Sequence, residues 1–337
     1  MSQPTQVLVT GATGFLGTAL VAELVRSGAA VRALSRRQSD REGLGEQVTF
    51  VEGDILDPDS LRRAVVGCSQ VFHLAAYARN WAPSPEVFHA HNVQGLRNVL
   101  DAAQATGVER VVWTSTIVTL GPTPAGVVGD ETLKQTASRR FFTDYEATKA
   151  AAEEEALQRA AAGFPLVIVN PTRAYGPGKL TEGNSLSRLI DLYQRGRMPF
   201  LLAGGVNVGN YAFVDDLARG HRLAMERGRP GERYILGGEN ASLRQFFTLV
   251  DAASGRSHTK INLPAGAARL WARAQELAAK RLGIYPQITP GWVDTFLADW
   301  AFTSAKAERE LGYRVTPLAE GIRLTCDWLR SRHGSRP

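Results

Sequence analysis

The stretch Val7-Leu8-Val9-Thr10-Gly11-Ala12-Thr13-Gly14-Phe15-Leu16-Gly17 decides how the chain is built. Val7 to Val9 is short, apolar and mostly β-branched, the pattern of a strand buried on both faces. Thr18 to Ser27 then reads as a helix whose apolar stripe is Leu16, Leu20, Leu24 and Val25. Gly11, Gly14 and Gly17 stand between strand and helix at a spacing of three. A strand that turns tightly into a helix presents free backbone N–H groups and the positive end of the helix dipole, which suits a diphosphate. Gly11 permits the turn, Gly14 lets the backbone approach a pyrophosphate, and Gly17 lets helix and strand pack closely. The spacing is GxxGxxG and not the commoner GxGxxG, so a purely structural turn is the alternative.

Beyond this turn, strands and helices alternate. Ala29–Leu34, Val48–Glu52, Gln70–Leu74, Val108–Thr114 and Leu166–Val169 read as further strands, a rhythm that predicts a parallel, doubly wound sheet. The second strand runs into Ser35, Arg36 and Arg37. About 20 residues beyond the glycines, dinucleotide sites often carry an acid that binds the ribose of NAD. Here the acid is missing and two guanidiniums are supplied, which fits the 2′-phosphate of NADP(H), with NAD(H) still admitted. Two solvated surface arginines are the plainer alternative. Asp54, at the end of the third strand, is placed to accept from an adenine amino group. Ala75 and Ala76, past the fourth strand, leave room for a ribose and nicotinamide. His73 reads as a packed strand residue. His89 and His91 lie two apart in a helix expected over Glu86–Thr106 and so point to different faces. No metal site is expected.

The chemistry lies after the fifth strand. Thr114-Ser115-Thr116 sets hydroxyls at a strand's C-terminal end, the edge where open α/β sheets bind ligands. Gly121–Ser138 is a loop rich in Gly and Pro, long enough to act as a lid. Tyr145 and Lys149 follow at the start of a helix, four apart and on one face. An ammonium beside a phenol stabilises the phenolate and lowers its pKa, which makes the tyrosine a usable acid or base.

Composition bounds the rest. The 337 residues can bury a sizeable core and build two lobes, and the apolar and charged fractions, 44% and 21%, are ordinary for a globular protein. Cys68 and Cys326 stand far apart and form no CxxC pattern, which argues for a reducing compartment. With no signal-peptide core in Met1–Gln6 and no apolar run of membrane-spanning length, a cytoplasmic location is expected. The formal charge of +6 is dispersed and no basic stripe with interleaved aromatics occurs, so nucleic acid is not an expected partner. Asp215-Asp216 are expected to cap a helix. Pro264–Gly283 reads as an amphipathic helix with Leu270, Trp271, Ala274, Leu277 and Leu282 to one side. That side is lobe core or pocket wall, or alternatively a membrane-surface face.

The segments GATGFLG, GDILD, HLAA, WTST, YEATK, NPTRAYGPG and FVDD occur in the order and approximate spacing of the extended short-chain dehydrogenase/reductases. The whole chain resembles that superfamily, and most of all its dihydroflavonol reductase, cinnamoyl-CoA reductase and 3β-hydroxysteroid dehydrogenase branch. GERYILGGEN and AERELGY also resemble bacterial hopanoid-associated sugar epimerases. The resemblance implies a Rossmann-type doubly wound parallel sheet with a smaller C-terminal α/β substrate lobe. The first would span 1–173 with 206–230 returning to it; the second, 174–205 and 231–330. It implies Tyr145 as acid/base and Lys149 as its partner, bound also to the nicotinamide ribose. Thr116 stands where the usual catalytic serine does, with Ser115 as a substitute, and Asn92 belongs to a stretch beneath the site. Cofactor contacts would come from Gly11, Thr13, Gly14, Phe15, Leu16, Gly17, Arg36, Arg37, Asp54, Ile55, Leu74, Ala75, Ala76, Pro171 and Thr172, besides Tyr145 and Lys149.

Three functions compete. The first is a reductase or dehydrogenase acting on a small carbonyl or alcohol. The second is a nucleotide-sugar epimerase or dehydratase with tightly held NAD; against it, such enzymes commonly carry Asn where this chain has Arg173 and Arg where it has Gly209. The third is a cofactor sensor without catalysis, which would leave Thr116, Tyr145 and Lys149 together by accident. Arg79, Trp81, Arg173 and Tyr175 are the candidate pocket residues, suited to a planar or acyl substrate with negative charge. A homodimer is left open.

Overall fold

The computed structural model describes residues 6–133 and 141–334. Strand β1 (Gln6–Thr10) leads into α1 (Phe15–Arg26), then β2 (Ala30–Ser35), β3 (Thr49–Glu52), α2 (Pro58–Val65) and β4 (Gln70–His73). Helix α3 (Pro85–His89) continues through a π turn at Ala90–Gln94 into α4 (Gly95–Ala105). Next come β5 (Arg110–Thr114), α5 (Asp144–Ala161) and β6 (Leu166–Pro171). The chain then makes β7 (Arg173–Tyr175), α6 (Ser185–Gln194), β8 (Phe200–Leu202), β9 (Val208–Phe213) and α7 (Val214–Arg227). It ends through β10 (Arg233–Leu236), β11 (Glu239–Ser242), α8 (Leu243–Ser254), β12 (Ile261–Leu263), α9 (Ala265–Leu282), α10 (Pro290–Leu297), α11 (Ala305–Leu311) and α12 (Leu318–Gly334).

Seven strands form one sheet in the order β10-β6-β5-β4-β1-β2-β3, and every pairing in it is parallel. Val7 and Val9 pack on one face with Leu20 and Leu24 of α1 and Leu217 of α7. Leu8 packs on the other with Leu96, Val99 and Ala152. Both faces are therefore covered, as an all-parallel sheet requires. From β1 the chain moves outward to β2 and β3, then crosses to β4 on β1's other side. That reversal leaves a crevice beyond the C-terminal ends of β1 and β4, where such sheets bind ligands.

The smaller lobe is built on a three-stranded sheet, β11-β9-β7, and a parallel pair, β12-β8. Its core joins Ile190 and Tyr193 of α6, Phe246 and Phe247 of α8, and Ile322 of α12. The boundary expected at 231 is displaced. Strand β10 pairs with β6, Tyr234 opposite Val169, so it belongs to the large sheet. Ala307, Leu311 and Tyr313 also return to the core of that sheet beside α1 and α7.

Other expectations are corrected by packing. Asp215 and Asp216 lie in the first turn of α7, whose N-cap is Phe213. Asp216 is buried and accepts from the Thr316 amide at 2.6 Å and hydroxyl at 2.8 Å, tying down the C-terminal segment. The described part of the loop expected to be a lid is anchored: Thr123 donates to Asp299 at 2.8 Å and Gly129 to Ala301 at 2.8 Å. Residues 134–138 of that loop lie outside the described residues. On α9 it is Ala268, Ala272 and Ala279 that are buried, while Leu270, Trp271, Ala274, Leu277 and Leu282 face outward. The helix seats Ala268 and Ala272 against Val293 of α10, a packing that small side chains favour.

Two histidines are buried in this core. His73 Nδ1 lies 2.7 Å from the Thr10 hydroxyl, and His221 Nδ1 lies 2.7 Å from the Leu217 carbonyl. Burial holds them down, His73 to about 3 with help from the Lys149 charge, and His221 to about 4. In the unfolded chain both recover their ordinary value of 6.5, so the unfolded state binds protons first. Their contribution is complete above pH 6.5 and is lost as pH falls towards the folded values, on the order of 5 kcal/mol for His73 and 3 kcal/mol for His221. Denaturant midpoints should therefore fall between pH 6.5 and 4, and His221→Gln should flatten the fall.

Candidate active site

The glycine turn is built as its spacing implies. Gly11 takes φ +73°, and a Cβ there would come 2.6 Å from the Ala75 nitrogen; at Gly17 it would come 2.0 Å from the Gly11 carbonyl oxygen. Gly14 is exposed, and a Cβ on it would meet only that same oxygen, at 3.3 Å. Gly14 is also the N-cap of α1, which has no side-chain cap and no acid in its first turn. The helix starts at Phe15, earlier than the pattern suggested, because Gly14 already supplies the extended cap conformation. Its leading amides thus point to the crevice with nothing of the chain's own to neutralise them, a fit for an anion.

The neighbouring side chains extend this surface. Ser35, at the end of β2, has a buried hydroxyl with no partner. Arg36 and Arg37 beside it are exposed and form no ion pair among the described residues. Asp54 accepts from the Leu56 amide at 2.9 Å, and Ile55 is buried with its carbonyl held by Asn98 at 2.8 Å. Leu74 donates to the Thr10 carbonyl at 3.1 Å, and the Ala75 amide to the Thr10 hydroxyl at 3.3 Å. The end of β4 is thereby pressed against the glycine turn. Phe15 packs beneath Gly178, and Thr172, following Pro171, has a buried hydroxyl without a partner. The orphaned hydroxyls, the uncapped helix and the free guanidiniums together fit a nicotinamide dinucleotide. Gly11 to Gly17, Ser35 to Arg37 and Thr172 would hold it.

Helix α5 brings Tyr145 and Lys149 to the same edge. Thr143 caps it by accepting from Glu146, and Glu146 in turn accepts from the Phe142 amide at 2.9 Å. Tyr145 and Lys149 follow on one face. The Thr116 hydroxyl is the partner that draws the Tyr145 pKa down; burial outweighs it and pushes the phenol up to about 12. The lowering expected from the Tyr-to-Lys spacing is not found. Lys149, only 2% exposed, gives its ammonium instead to the Thr114 carbonyl at 2.9 Å and lies 4.2 Å from the centre of the Trp113 ring. Burial lowers its pKa from 10.5 to about 7, with Glu153 pulling the other way.

The chain is matched over residues 7–237 by the model of the family described as NAD dependent epimerase/dehydratase. The chain belongs to this family. A Synechocystis sp. protein provisionally named dihydroflavonol 4-reductase is 33% identical over 331 residues, covering 97% of this chain and 94% of the other. A 4-hydroxy-2-methyl-3-oxo-4-farnesyl-3,4-dihydroquinoline-1-oxide ketoreductase of Stigmatella aurantiaca is 33% identical, covering 92% and 93%. The crystal structure of Thermus thermophilus UDP-glucose 4-epimerase with NAD superposes with a TM-score of 0.76 at 26% identity, covering 97% and 99%. The protein is therefore an enzyme of the NAD(P)-dependent oxidoreductase and epimerase kind.

Not every expected site residue reaches the cleft. Tyr175 is fully buried in the smaller lobe, edge-on to Phe213 and Phe246, with its hydroxyl 3.5 Å from the Leu318 carbonyl. It is core. Ser115 cannot stand in for Thr116, because its buried hydroxyl donates to Glu153 beneath the strand. Arg173 lies with its guanidinium 4.3 Å from the Phe296 ring centre, donates to Thr295 at 3.5 Å, and forms no ion pair among the described residues. A Cβ at Gly209 would come 2.8 Å from its Nη1, so glycine at 209 makes the room that Arg173 uses. Arg79 and Trp81 sit on the loop after β4, Trp81 edge-on to Tyr285 at 5.8 Å. Asn92, in the π turn, accepts from the Tyr77 amide at 2.8 Å and donates to Thr148 at 3.0 Å, linking that loop to α5.

Sequence reasoning missed Glu153. It is buried, pairs with Arg233 at 2.9 Å, and accepts from Ser115, from Thr119 at 2.8 Å and from Asn170 at 3.0 Å. The Thr119 hydroxyl shares its one proton between Glu153 and the Thr116 carbonyl, also at 2.8 Å, and Asn170 donates to that carbonyl at 3.1 Å. One carboxylate thus fixes the loop that carries Thr116. The available signal was its spacing, one helical turn beyond Lys149 on the same face. Because the Lys149 ammonium faces the Trp113 ring, the pH dependence of Trp113 fluorescence, with Trp113→Phe as blank, should report loss of the lysine charge as pH rises through about 7. Glu153→Gln removes the group that raises this pKa and should move the midpoint lower; a midpoint at the ordinary 10.5 would contradict the assignment.

Proposed function

We propose that the protein reduces a ketone or aldehyde, or oxidises the corresponding alcohol, with NADP(H). The reading is carried by Thr116, Tyr145 and Lys149 meeting at the edge of the sheet that bears the open glycine turn. Bound there, the nicotinamide supplies or accepts hydride at the reacting carbon. Tyr145, held protonated at neutral pH, is the donor for the carbonyl oxygen. The Thr116 hydroxyl holds that oxygen beside the phenol. Lys149, whose ammonium meets the Thr114 carbonyl, would hold the nicotinamide ribose; its ammonium returns a proton to the Tyr145 phenolate and regains one from water. Arg173, beside Phe296 and Tyr211 and in no ion pair among the described residues, favours an acyl or planar substrate with negative character, and Arg79 and Trp81 border its entry. The arginine at 173 and the glycine at 209 together favour this reading over nucleotide-sugar chemistry.

The likeness to a UDP-glucose 4-epimerase supports a second reading, an epimerase or dehydratase that retains NAD. The two separate on purification. A reductase leaves the column largely free of cofactor and consumes NADPH with an added carbonyl. Tight NAD released only by denaturation, with no net NADPH turnover, favours the epimerase.

Charged hydrogen bonds contribute about 1.5–3 kcal/mol each, so Arg36 and Arg37 should give NADPH a ten- to hundredfold tighter binding than NADH. Fluorescence titration decides this, and equal affinities would remove the preference. In single-turnover hydride transfer at saturating NADPH, Tyr145→Phe should lose about 10² to 10⁴ in rate while keeping cofactor affinity. Lys149→Met should lose both rate and affinity. Thr116→Ser should be mild and Thr116→Val severe, since Ser115 is turned to Glu153. A Tyr145→Phe variant retaining more than about a tenth of the rate would place the proton donor elsewhere.

A further inference from the structure

Thirteen large apolar side chains are exposed among the described residues, and six of them fall between 270 and 285. Leu270, Trp271, Leu277 and Leu282 of α9, with Ile284 and Tyr285 after it, are between 40% and 71% exposed. At a helical spacing, Leu270, Ala274, Leu277 and Arg281 lie along one line of α9, with Trp271, Ala278 and Leu282 beside them. The opposite side is the alanine face seated on α10. Gly283, in the left-handed region at φ +68°, ends the helix and carries the apolar strip on to Ile284 and Tyr285. A continuous strip of this kind on a single protein marks an interaction surface.

Its charges select the occupant. Helix α9 carries Arg269, Arg273, Lys280 and Arg281 against a single acid, Glu276. Arg269 is paired with Asp294 and Lys280 with Glu276, whereas Arg273 and Arg281 have no ion pair among the described residues. A two-fold contact between copies through this face would set these cations against their own equivalents. An anionic lipid surface complements them and accepts the leucines and the tryptophan below the headgroups. No helix among the described residues is long and apolar enough to cross a membrane, so the geometry is that of a helix lying in the interface.

We propose that α9 and Ile284–Tyr285 dock the protein on an anionic bilayer, with the cleft entrance at the lipid surface. The strip connects to that entrance. Tyr285 donates to Glu182 at 2.8 Å and packs edge-on to Trp81; the Tyr77 hydroxyl donates to the Trp81 carbonyl at 3.4 Å, and the Tyr77 amide donates to Asn92. Asn92 touches Thr148, between Tyr145 and Lys149 in sequence. A carbonyl compound dissolved in the bilayer could then reach the cleft without crossing bulk water, so the substrate class is lipophilic. This last step rests on the reductase reading, whereas the docking does not.

The test is flotation of the purified full chain with vesicles of phosphatidylcholine, alone or mixed with phosphatidylglycerol, at low and high salt. Binding to the mixed vesicles is expected, weaker in high salt and on phosphatidylcholine alone. Leu270→Glu and Leu277→Glu should each weaken it about ten- to a hundredfold. Arg273→Gln with Arg281→Gln should remove much of the salt dependence. These variants should keep the wild-type melting temperature and its turnover of a short, water-soluble ketone. The tryptophan emission lost in Trp271→Phe should shift to the blue when vesicles are added to the wild type. No flotation at low salt overturns the docking. So does a wild-type dimer that Leu270→Glu dissociates and that binds no vesicles. Flotation without any carbonyl reduction leaves docking standing and removes the reductase reading. Flotation with equal KM for a long-chain ketone, with and without vesicles, overturns delivery from the bilayer.

Discussion

The rest of the fold hangs on the close seating of α1 against the turn that begins it. A single added carbon at Gly17 would sit 2.0 Å from the Gly11 carbonyl oxygen, and one at Gly11 would strike the backbone of Ala75. These contacts bring β1, α1 and the end of β4 to one point. They also fix where the free amides of α1 open. Gly14, the one glycine of the three that remains exposed, leaves those amides open to the crevice. The crevice, the orphaned Ser35 hydroxyl and the approach of Ala75 follow from that packing.

The other side of the cleft depends on buried charge. Lys149 and Glu153 share one face of α5; Lys149 is held by the last carbonyl of β5 and Glu153 by side chains of the loop that follows. Glu153 is compensated by Arg233, contributed by β10 at the far edge of the large sheet. Removing one partner of a buried pair leaves an uncompensated charge and costs about 3–5 kcal/mol. The position of Thr116 is therefore secured by a strand that enters the sequence more than a hundred residues later.

Local features were legible in the sequence, because their signal lies within a few residues. The glycine turn, the alternation of strand and helix, and the Tyr145–Lys149 spacing all read directly into the fold. What failed depended on tertiary neighbours. Tyr175 reads as a pocket aromatic until Phe213, Phe246 and Leu318 close around it. Asp216 reads as a cap until Thr316 arrives from 100 residues away. The leucines of α9 give a helical period, but a period cannot tell which face a neighbour will cover; the alanines won because α10 packs on their side. Ser115 and Thr116 are equivalent in sequence, and only Glu153 below the strand distinguishes them.

The return of the C-terminal third to the first sheet has a consequence for biosynthesis. During translation the amino-terminal half leaves the ribosome with its parallel sheet unfinished. Until β10 emerges, β6 offers an unpaired edge, and Glu153 has no Arg233 to meet. Until Ala307, Leu311 and Tyr313 follow, the surface of α7 and its neighbours lies bare to water. The nucleotide-binding half is thus no module that folds first and waits for the rest. It closes only once residues 307–313 have been made, so the nascent protein must be sheltered from aggregation until then.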